Sequence, residues 1–250
     1  MREFREYELT GDVKKRQESE YWKSIEFSLF HKVAVSYYPS YVEEEAIHAV
    51  DETIPVKAIT AYVYEEFLQN LNKDFAKREG LLFVGGFAHP PNADAVLWFA
   101  KEVFPKIREQ IKVNFYIVGS KVTDEIKALE QPGNGIIVKG FVSEEELADL
   151  YRNCRIVVVP LRYGAGVKGK VVEAIYNGAP IVTTSVGSEG IPDVEKVLLV
   201  KDQPDEFGET LVELYKDEQR LEDLAEKTQV YIREHFSIDA AWDVIKEDFE

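Results

Sequence analysis

The chain has 250 residues, of which 45% are hydrophobic, and its formal net charge at pH 7 is −16. A chain of this length can bury one hydrophobic core, or one core with an appendage. Its acidity argues against general nucleic-acid binding. The single cysteine, Cys154, excludes an intrachain disulfide and a cysteine-built zinc site, and we expect a buried structural thiol. No apolar run approaches the ~20 residues of a membrane span and the N-terminus is charged, so we expect a soluble, cytoplasmic protein.

The first 79 residues carry weak patterning. Residues 1–20 are charged and nearly unpatterned, and a polar helix is expected to end near Phe30. Further on, the sequence predicts a strand in "KVAVSYY" (32–38), a helix in "SYVEEEAIHAV" capped by Ser40, and a strand in "PVKAIT". This βαβ fragment is too small for its own core. We therefore divide the chain into a partial N-terminal segment with a linker, 1–79, and a domain over 80–250.

From residue 80 onward, short apolar runs alternate with amphipathic stretches. The apolar runs at 81–87, 113–119, 135–142, 155–161, 180–186 and 197–200 predict buried parallel strands. Four helices are predicted between them. The first follows residue 90 and buries one apolar face, formed by Val96, Phe99, Ala100, Val103, Phe104 and Ile107. The others are expected over 123–131, capped by Thr123, over 143–154, with a capping box of Ser143 and Glu146, and over 171–177. The alternation predicts an α/β fold with a doubly wound, Rossmann-like parallel sheet, and the end of the chain, 204–250, is mostly helical.

Three glycine-containing loops follow predicted strands. They are Gly85-Gly86, Gly140 to Val142, and the loop 164–170. Because ligands in doubly wound sheets bind outside the carboxyl ends of the strands, we expect these loops at one edge. The third loop, "GAGVKGK", carries two lysines and opens a helix, whose free N–H groups favour an anion. Phosphate binding fits this pattern, although a flexible surface turn has the same composition.

Four stretches closely resemble the C-terminal, donor-binding domain of retaining GT-B glycosyltransferases of group 1 (family 4-like). They are "FVGGFAHPPNADAVLWF", "YIVGS", "VKGFV" and "VVVPLRYGAGVKGKVVEAIYNGAPIVTTSVGSEGI". The resemblance covers most of residues 80–200, and its last stretch is highly specific. The N-terminal flank resembles the closing portion of the companion, acceptor-side domain. The resemblance therefore implies the donor-binding half of a GT-B fold, with most of the acceptor-binding domain absent.

The resemblance also implies chemistry, namely retaining transfer of a sugar from a nucleoside-diphosphate sugar to an acceptor hydroxyl in polysaccharide or glycoconjugate synthesis. Glu173 would accept hydrogen bonds from the ribose hydroxyls, and Lys168 and Lys170 would neutralise the diphosphate. Lys170 and Glu173 are accordingly the catalytic candidates. Further donor contacts are expected at Gly85, Gly86 and Gly166, and through the backbone of Phe141 and Val142. No metal and no cofactor besides the donor are expected.

The sequence departs from the family pattern at two places. Ala165 occupies the position where many relatives carry a second glutamate, which leaves the donor sugar open. The first loop lacks their arginine or lysine. Its His89 could touch the donor sugar, although a lone histidine in a loop is more often incidental.

Because most of the acceptor side is missing, we expect these residues alone to bind donor without completing transfer. The acceptor, a sugar or a lipid-linked sugar, would be bound by the missing domain, and a longer protein could associate peripherally with a membrane. Two alternatives stay open: a non-catalytic module that binds a nucleotide or a protein, and a nucleotide-sugar epimerase.

Overall fold

The computed structural model describes residues 2–249, and its N-terminal flank is a small unit of three helices and two strands. In chain order these are α1 (Arg2–Thr10), α2 (Val13–Phe30), β1 (Ser36–Tyr38), α3 (Tyr41–His48) and β2 (Val56–Ala58). Strands β1 and β2 pair in parallel, with Ser36 opposite Val56. A separate apolar cluster of Phe30, Ile47, Ile54 and Val56 stabilises this unit. The predicted βαβ fragment is confirmed, with shorter strands than expected.

Helix α1 corrects the expectation that residues 1–20 lack structure-forming pattern. It packs against α2, where the Lys15 ammonium lies 3.6 Å from the Glu6 carboxylate and the Arg16 guanidinium lies 5.9 Å from the centre of the Tyr7 ring. Asp12 caps α2 by accepting a hydrogen bond of 2.9 Å from the backbone N–H of Lys14. Contacts between the two helices, rather than local periodicity alone, therefore stabilise α1.

The second unit is built on a six-stranded parallel sheet. Its strands are β3 (Leu81–Val84), β4 (Phe115–Val118), β5 (Ile136–Gly140), β6 (Ile156–Val159), β7 (Ile181–Thr183) and β8 (Leu198–Val200). They lie in the order β5-β4-β3-β6-β7-β8. The chain thus winds outward from β3 to β5, returns to the other side of β3, and winds outward again to β8. The doubly wound sheet is confirmed, and its order reverses between β3 and β6.

Helices pack on this sheet between its strands in the sequence, and further helices come after the last strand. They are α4 (Pro90–Trp98), α5 (Phe104–Gln110), α6 (Asp124–Lys127), α7 (Glu144–Asn153), α8 (Gly169–Tyr176), α9 (Ser185–Ser188), α10 (Pro204–Lys216), α11 (Glu218–Phe236) and α12 (Ile238–Ile245), with 3₁₀ turns at Val194–Lys196 and Lys246–Asp248. Over residues 2–249, none of the helices combines the length and the apolar character that crossing a membrane requires.

The predicted caps are present, with one difference. The side chains of Ser40, Thr123 and Ser143 each accept a hydrogen bond from a backbone N–H in the first turn of the following helix. The capping box at α7 is only half formed, because the Glu146 carboxylate pairs instead with the Lys139 ammonium at 2.7 Å.

The helix predicted after residue 90 is interrupted by a π-helical turn at Phe99–Val103. There the backbone N–H of Phe104 bonds to the carbonyl of Phe99, and the next residue, Pro105, has no N–H to donate. Proline commonly disrupts the regular helical ladder in this way. All six predicted apolar residues of this helix, from Val96 to Ile107, are nevertheless buried in the main core.

The core also contains the cysteine. Cys154 is buried, as predicted, and burial raises the pKa of its thiol to about 12. Its carbonyl accepts a hydrogen bond of 2.8 Å from Nε of the buried Arg78. A thiol with so high a pKa is a packing group rather than a nucleophile.

Two chain segments join the flank to the main unit. The linker lies along the main unit, where the backbone N–H of Tyr64 donates to the carbonyl of Phe236 at 2.8 Å. At the other end of the chain, the last 3₁₀ turn returns to the small sheet, and the Asp248 carboxylate accepts hydrogen bonds from Lys57 at 2.7 Å and from the Tyr37 hydroxyl at 2.6 Å. The flank lies beside the carboxyl edge of the main sheet, because its Tyr41 lines one cleft together with Arg162 and Ser185, which follow β6 and β7.

Candidate functional site

The candidate site lies in the crevice between β3 and β6. Gly85 and Gly86 directly follow β3, and the loop after β6 leads to α8. A doubly wound sheet opens such a crevice where its strand order reverses, and ligands bind there outside the carboxyl ends. Two of the three loops predicted from sequence therefore flank this crevice.

Lys170 spans the crevice from the first turn of α8. A Cβ atom added to Gly85 would lie 2.7 Å from the Lys170 amine, so any larger residue here would displace the end of that side chain. The neighbouring loop is equally tight, because a Cβ on Gly119 would lie 1.9 Å from the carbonyl oxygen of Gly85. The glycines thus allow a lysine and two loops to meet at one point.

Lys170 is partly buried, and its amine has a polar and an aromatic neighbour. It donates a hydrogen bond to the side-chain oxygen of Asn92, and it lies 4.7 Å from the centre of the Phe83 ring. Burial, aided by the nearby Lys168 charge, lowers the pKa of Lys170 to about 7. Near neutral pH the amine is therefore partly protonated, and a bound anion would favour its charged form.

Lys168 has a different environment. Its ammonium lies 3.4 Å from the Glu189 carboxylate and donates to the carbonyl of Gly166, and the two side chains of the ion pair are 10% and 9% exposed. The loop turns at Gly166, whose φ is +72°. Because a carboxylate compensates its charge, Lys168 offers an anion less net charge than Lys170 does.

Glu173 lies one turn after Lys170 on α8, so the two side chains project from nearby parts of one helix surface. Burial raises the pKa of the Glu173 carboxyl, and the neighbouring Tyr151 hydroxyl partly opposes this shift. The buried Tyr151 hydroxyl lies near the Glu173 carboxyl without forming a hydrogen bond of regular geometry. Glu173 is thus a half-buried acceptor group beside the crevice.

Phe141 and Val142 lie at the same edge of the sheet, just beyond the end of its outermost strand. They follow β5, which β4 separates from β3. The Phe141 side chain is 82% exposed, and Val142 packs against the main core. His89 is exposed at the residue before α4. The structure therefore gathers the glycines and lysines at the crevice and places residues 141–142 farther along the same edge.

Sequence reasoning missed three residues around this crevice. Asn92 contacts Lys170, Glu189 pairs with Lys168, and the Tyr62 hydroxyl lies against Gly169, where an added Cβ would be 2.6 Å from it. Asn92 and Glu189 lie inside the stretches "HPPN" and "SVGSEGI" that carry the family resemblance, and this position in the sequence is a signal for both. Tyr62 offers no comparable signal.

A cleft of about 610 Å³ opens between the flank and the carboxyl edge. Residues that line it include Glu8, Tyr41, Arg162, Ser185, Glu189 and Gly190, whereas Lys170 and Glu173 do not. Its volume lies within the range of small-molecule sites. The cleft is therefore adjacent to the crevice rather than identical with it.

Comparison with known proteins gives a family match and one curated relative. The family model described as "Glycosyl transferases group 1" matches residues 78–217, more than half of the chain. An "Uncharacterized 44.6 kDa protein in cps region" of Klebsiella pneumoniae is 28% identical over 184 residues, which cover 70% of this chain and 45% of that protein. The chain thus spans under half the length of this relative.

Several solved glycosyltransferase structures share the fold at low sequence identity. TarM of S. aureus, solved with UDP, fondaparinux and α-GlcNAc-glycerol, aligns at a TM-score of 0.71 and 14% identity over 89% of this chain and 45% of TarM. Sucrose-phosphate synthase of Thermosynechococcus elongatus aligns at 0.74 and 16% over 100% and 65%. The pneumococcal O-GlcNAc transferase GtfA, solved with UDP and GlcNAc, aligns at 0.62 and 20% over 87% and 45%. These neighbours establish a GT-B fold.

Proposed function

The chain belongs to the group 1 glycosyl transferases, and we propose that its crevice between β3 and β6 binds the donor, a nucleoside-diphosphate sugar. One observation carries the proposal: Lys170 reaches from the start of α8 to within contact of Gly85. A cation, the N–H groups that open a helix, and a glycine beside which the cation lies all meet at this point. That combination suits a diphosphate.

Different residues would bind different parts of the nucleotide. Lys170 and the start of α8 would bind the diphosphate. Lys168 would attract the diphosphate less strongly, because Glu189 compensates its charge. Glu173 would accept from the ribose hydroxyls. The backbone around Phe141 and Val142, farther along the edge, would pair with the base. Two of the structural neighbours were solved with UDP, which supports a nucleotide as the ligand.

In the proposed reaction, the sugar moves to an acceptor hydroxyl with retention at the anomeric carbon. Negative charge grows on the departing diphosphate while the anomeric carbon gains oxocarbenium character. A cation and helix N–H groups already aimed at the diphosphate stabilise this charge without reorganisation. Lys170 would be fully protonated once the diphosphate is bound, because the anion raises the pKa of its amine. Besides the nucleotide sugar, this chemistry uses no cofactor and no metal.

The role of the whole protein is also a proposal. We assign residues 1–79 to the end of an acceptor-side domain and its linker, and residues 80–250 to the donor-binding domain. Since the chain spans 45% of its Klebsiella relative, these residues would bind donor without completing transfer, and a sugar or lipid-linked acceptor would bind mainly outside them. The name of that relative, from a cps region, supports a role in polysaccharide synthesis, and we propose that this synthesis takes place in the cytoplasm.

A nucleotide panel tests the donor site. UDP, GDP, ADP and CDP are added to the purified chain, and thermal unfolding is followed with and without ligand. We expect at least one nucleoside diphosphate to bind with micromolar-to-millimolar affinity and, at ~100 times its Kd, to stabilise by about 2.7 kcal/mol. The variant Lys170→Met should lose most of this response. A parent chain that ignores all four nucleotides at millimolar concentration would contradict the proposal and favour a non-catalytic interaction module.

A further inference from the structure

We infer that Asn92 is a positioning residue of the donor site, whose side-chain amide fixes the Lys170 amine and the Gly85–Gly86 loop relative to each other. The inference deepens the proposed function and rests on it in one respect, namely that Lys170 serves the donor diphosphate. Asn92 itself need not touch the donor.

The geometry of Asn92 carries the inference. Its side chain is buried, with the residue 6% exposed, in the first turn of α4. The side-chain oxygen accepts a hydrogen bond from the Lys170 amine, and the side-chain nitrogen donates to the carbonyl of Gly86 at 2.7 Å. One planar amide can make both bonds at once because it carries an acceptor and donors on the same group. Asn92 therefore connects α4, the loop after β3 and α8.

The backbone holds the amide in place. The N–H of Asn92 donates to the carbonyl of His89 at 3.0 Å, and the N–H of His89 donates to the carbonyl of Gly86 at 3.3 Å. The first loop and the start of α4 thus form one hydrogen-bonded turn that presents the amide to Lys170. A side chain in this setting has little freedom to move away from its two partners.

The chemistry of an amide fits this task better than a carboxylate would. A lysine has a long flexible stem, and ordering it at the moment of binding lowers affinity. Asn92 orders the amine beforehand, yet it is uncharged and leaves the positive charge available to phosphate. Lys168 shows the contrast, since its partner is the Glu189 carboxylate. The two lysines therefore differ in the charge that they can offer a ligand.

Substitution at Asn92 should change how binding depends on pH. The groups that face the Lys170 amine are the Asn92 amide, the Phe83 ring and, as the charged neighbour, Lys168. In the parent chain, binding of an anion weakens as pH rises past the pKa of Lys170. In Asn92→Asp, a carboxylate beside the amine should raise that pKa by about 1 to 3 units. Binding would be weaker overall but would persist to higher pH.

The experiment is calorimetric titration with inorganic pyrophosphate from pH 6 to pH 9. The proteins are the parent, Asn92→Ala, Asn92→Asp, Lys170→Met and the double variant Asn92→Ala/Lys170→Met. We expect Asn92→Ala to lower affinity about tenfold, and to cause no further loss in the Lys170→Met background. Asn92→Asp should move the pH midpoint of binding upward. If Asn92→Ala does not fold, the nearly isosteric Asn92→Asp carries the test alone.

A matched control is Asn134→Ala. The Asn134 amide also bonds at both ends, to the carbonyl of Leu129 at 2.7 Å and from the N–H of Ile136 at 2.9 Å, but it lies at the amino end of β5. Its removal should leave pyrophosphate affinity unchanged. Losses from Asn92→Ala and Lys170→Met that simply multiply in the double variant would overturn the inference, because Asn92 would then act on the fold and not through Lys170.

A second measurement separates this inference from the proposed function. Should Lys170→Met bind pyrophosphate as the parent does, the donor site itself is misplaced. NMR titration of isotope-labelled lysine side chains without ligand then tests the contact directly. Asn92→Asp should raise the pKa of the Lys170 amine, and an unchanged value would overturn the positioning role whatever the ligand data show.

Discussion

Lys168 and Lys170 are two positions apart in one loop, yet they meet different partners. The Lys170 amine is buried against an amide and an aromatic ring, whereas Lys168 is paired with Glu189. The surroundings of Lys170 make the charge of its amine depend on pH and on ligands. The charge of Lys168 is instead held in a nearly buried ion pair. Each arrangement predicts a distinct response to substitution.

The stability of the fold should depend on pH through Lys170. Its pKa is about 7 in the folded chain, below the usual lysine value of 10.5. Between these values the unfolded chain holds a proton that the folded chain has released, so the free energy of unfolding rises with pH over this window. At lower pH the fold carries a charged buried amine, a cost that Lys170→Met removes.

Denaturant unfolding of the parent and of Lys170→Met from pH 6 to pH 10 measures this effect, because the other titrating groups are common to both. The parent should be the less stable protein near pH 6, and the difference should shrink steadily toward pH 10. A difference that does not vary with pH would contradict the buried, titrating amine.

The ion pair of Lys168 and Glu189 should be costly to break from one side. Both side chains are nearly buried, and their charged atoms are 3.4 Å apart. Glu189→Ala should therefore destabilise the fold by about 3 kcal/mol, because it leaves a largely buried ammonium without its carboxylate. In Lys168→Met/Glu189→Ala the loss should be smaller than the sum of the two single losses. Urea unfolding of the four proteins tests this, and strictly additive losses would show that the pair is not coupled.

At the scale of elements, α8 is held from outside by the linker. The Tyr62 hydroxyl lies against Gly169 at the start of the helix, and the ring of Tyr64 stacks on Tyr176 at its end, with centres 4.2 Å apart. The linker thus covers the helix that carries the candidate lysine and glutamate. The packing of the linker should keep α8 in a fixed position relative to the sheet.

A pair of substitutions tests that packing. Gly169→Ala adds a Cβ that would lie 2.6 Å from the Tyr62 hydroxyl, so it should destabilise the fold by about 1 to 3 kcal/mol. In a Tyr62→Ala background the same change should stabilise by about 0.4 to 1 kcal/mol, as Gly to Ala does at an unhindered helical site. Thermal and denaturant unfolding would report the reversal of sign. The same sign in both backgrounds would contradict the contact.

Elements buried on both faces were predictable, and elements made by tertiary contact were not. The strands from β3 to β8 are short apolar runs, and their alternation with helices specifies the parallel sheet. The sequence did not predict helix α1, because this helix depends on packing against α2. The sequence did not predict the π-helical turn either, because the buried apolar face of the helix continues through the turn. The helix predicted over 123–131 is only Asp124–Lys127, although its Thr123 cap is present.

The same distinction holds within the site. The glycine loops and the two lysines could be placed at one edge from the predicted alternation of strands and helices and from loop composition. The partners of those lysines could not, because Asn92 is 78 positions from Lys170 along the chain and Tyr62 lies in the linker. Neither local pattern nor spacing carries information about such contacts. The roles of Lys168, Lys170 and Glu173 toward a ligand stay predictions.

At the scale of the molecule, two chain segments connect the flank to the main unit. The linker leads from β2 into the main unit, and the final turn returns to it, where Lys57 and Tyr37 bind the Asp248 carboxylate and hold its pKa below the usual value. The flank is thereby tethered beside the carboxyl edge. This arrangement leaves the cleft of about 610 Å³ between the flank and the edge, next to the proposed donor crevice.

The central claim is that α8 holds a nucleoside diphosphate, with its ribose on Glu173 and its phosphates on Lys170. UDP and inorganic pyrophosphate separate the two halves of that claim, because pyrophosphate has no ribose. Hydrogen bonds to a charged group are worth about 1.5 to 3 kcal/mol each, so loss of the carboxylate should lower nucleotide affinity about ten- to a hundredfold. The control is Glu213→Ala, which removes an exposed glutamate from α10.

The measurement is calorimetric titration of UDP and pyrophosphate into the parent, Glu173→Ala and Glu213→Ala. We predict that Glu173→Ala loses UDP affinity by that factor, binds pyrophosphate as the parent does, and that Glu213→Ala changes neither. Equal UDP affinity in the parent and in Glu173→Ala would contradict the account, and the ribose contact at Glu173 would have to be abandoned.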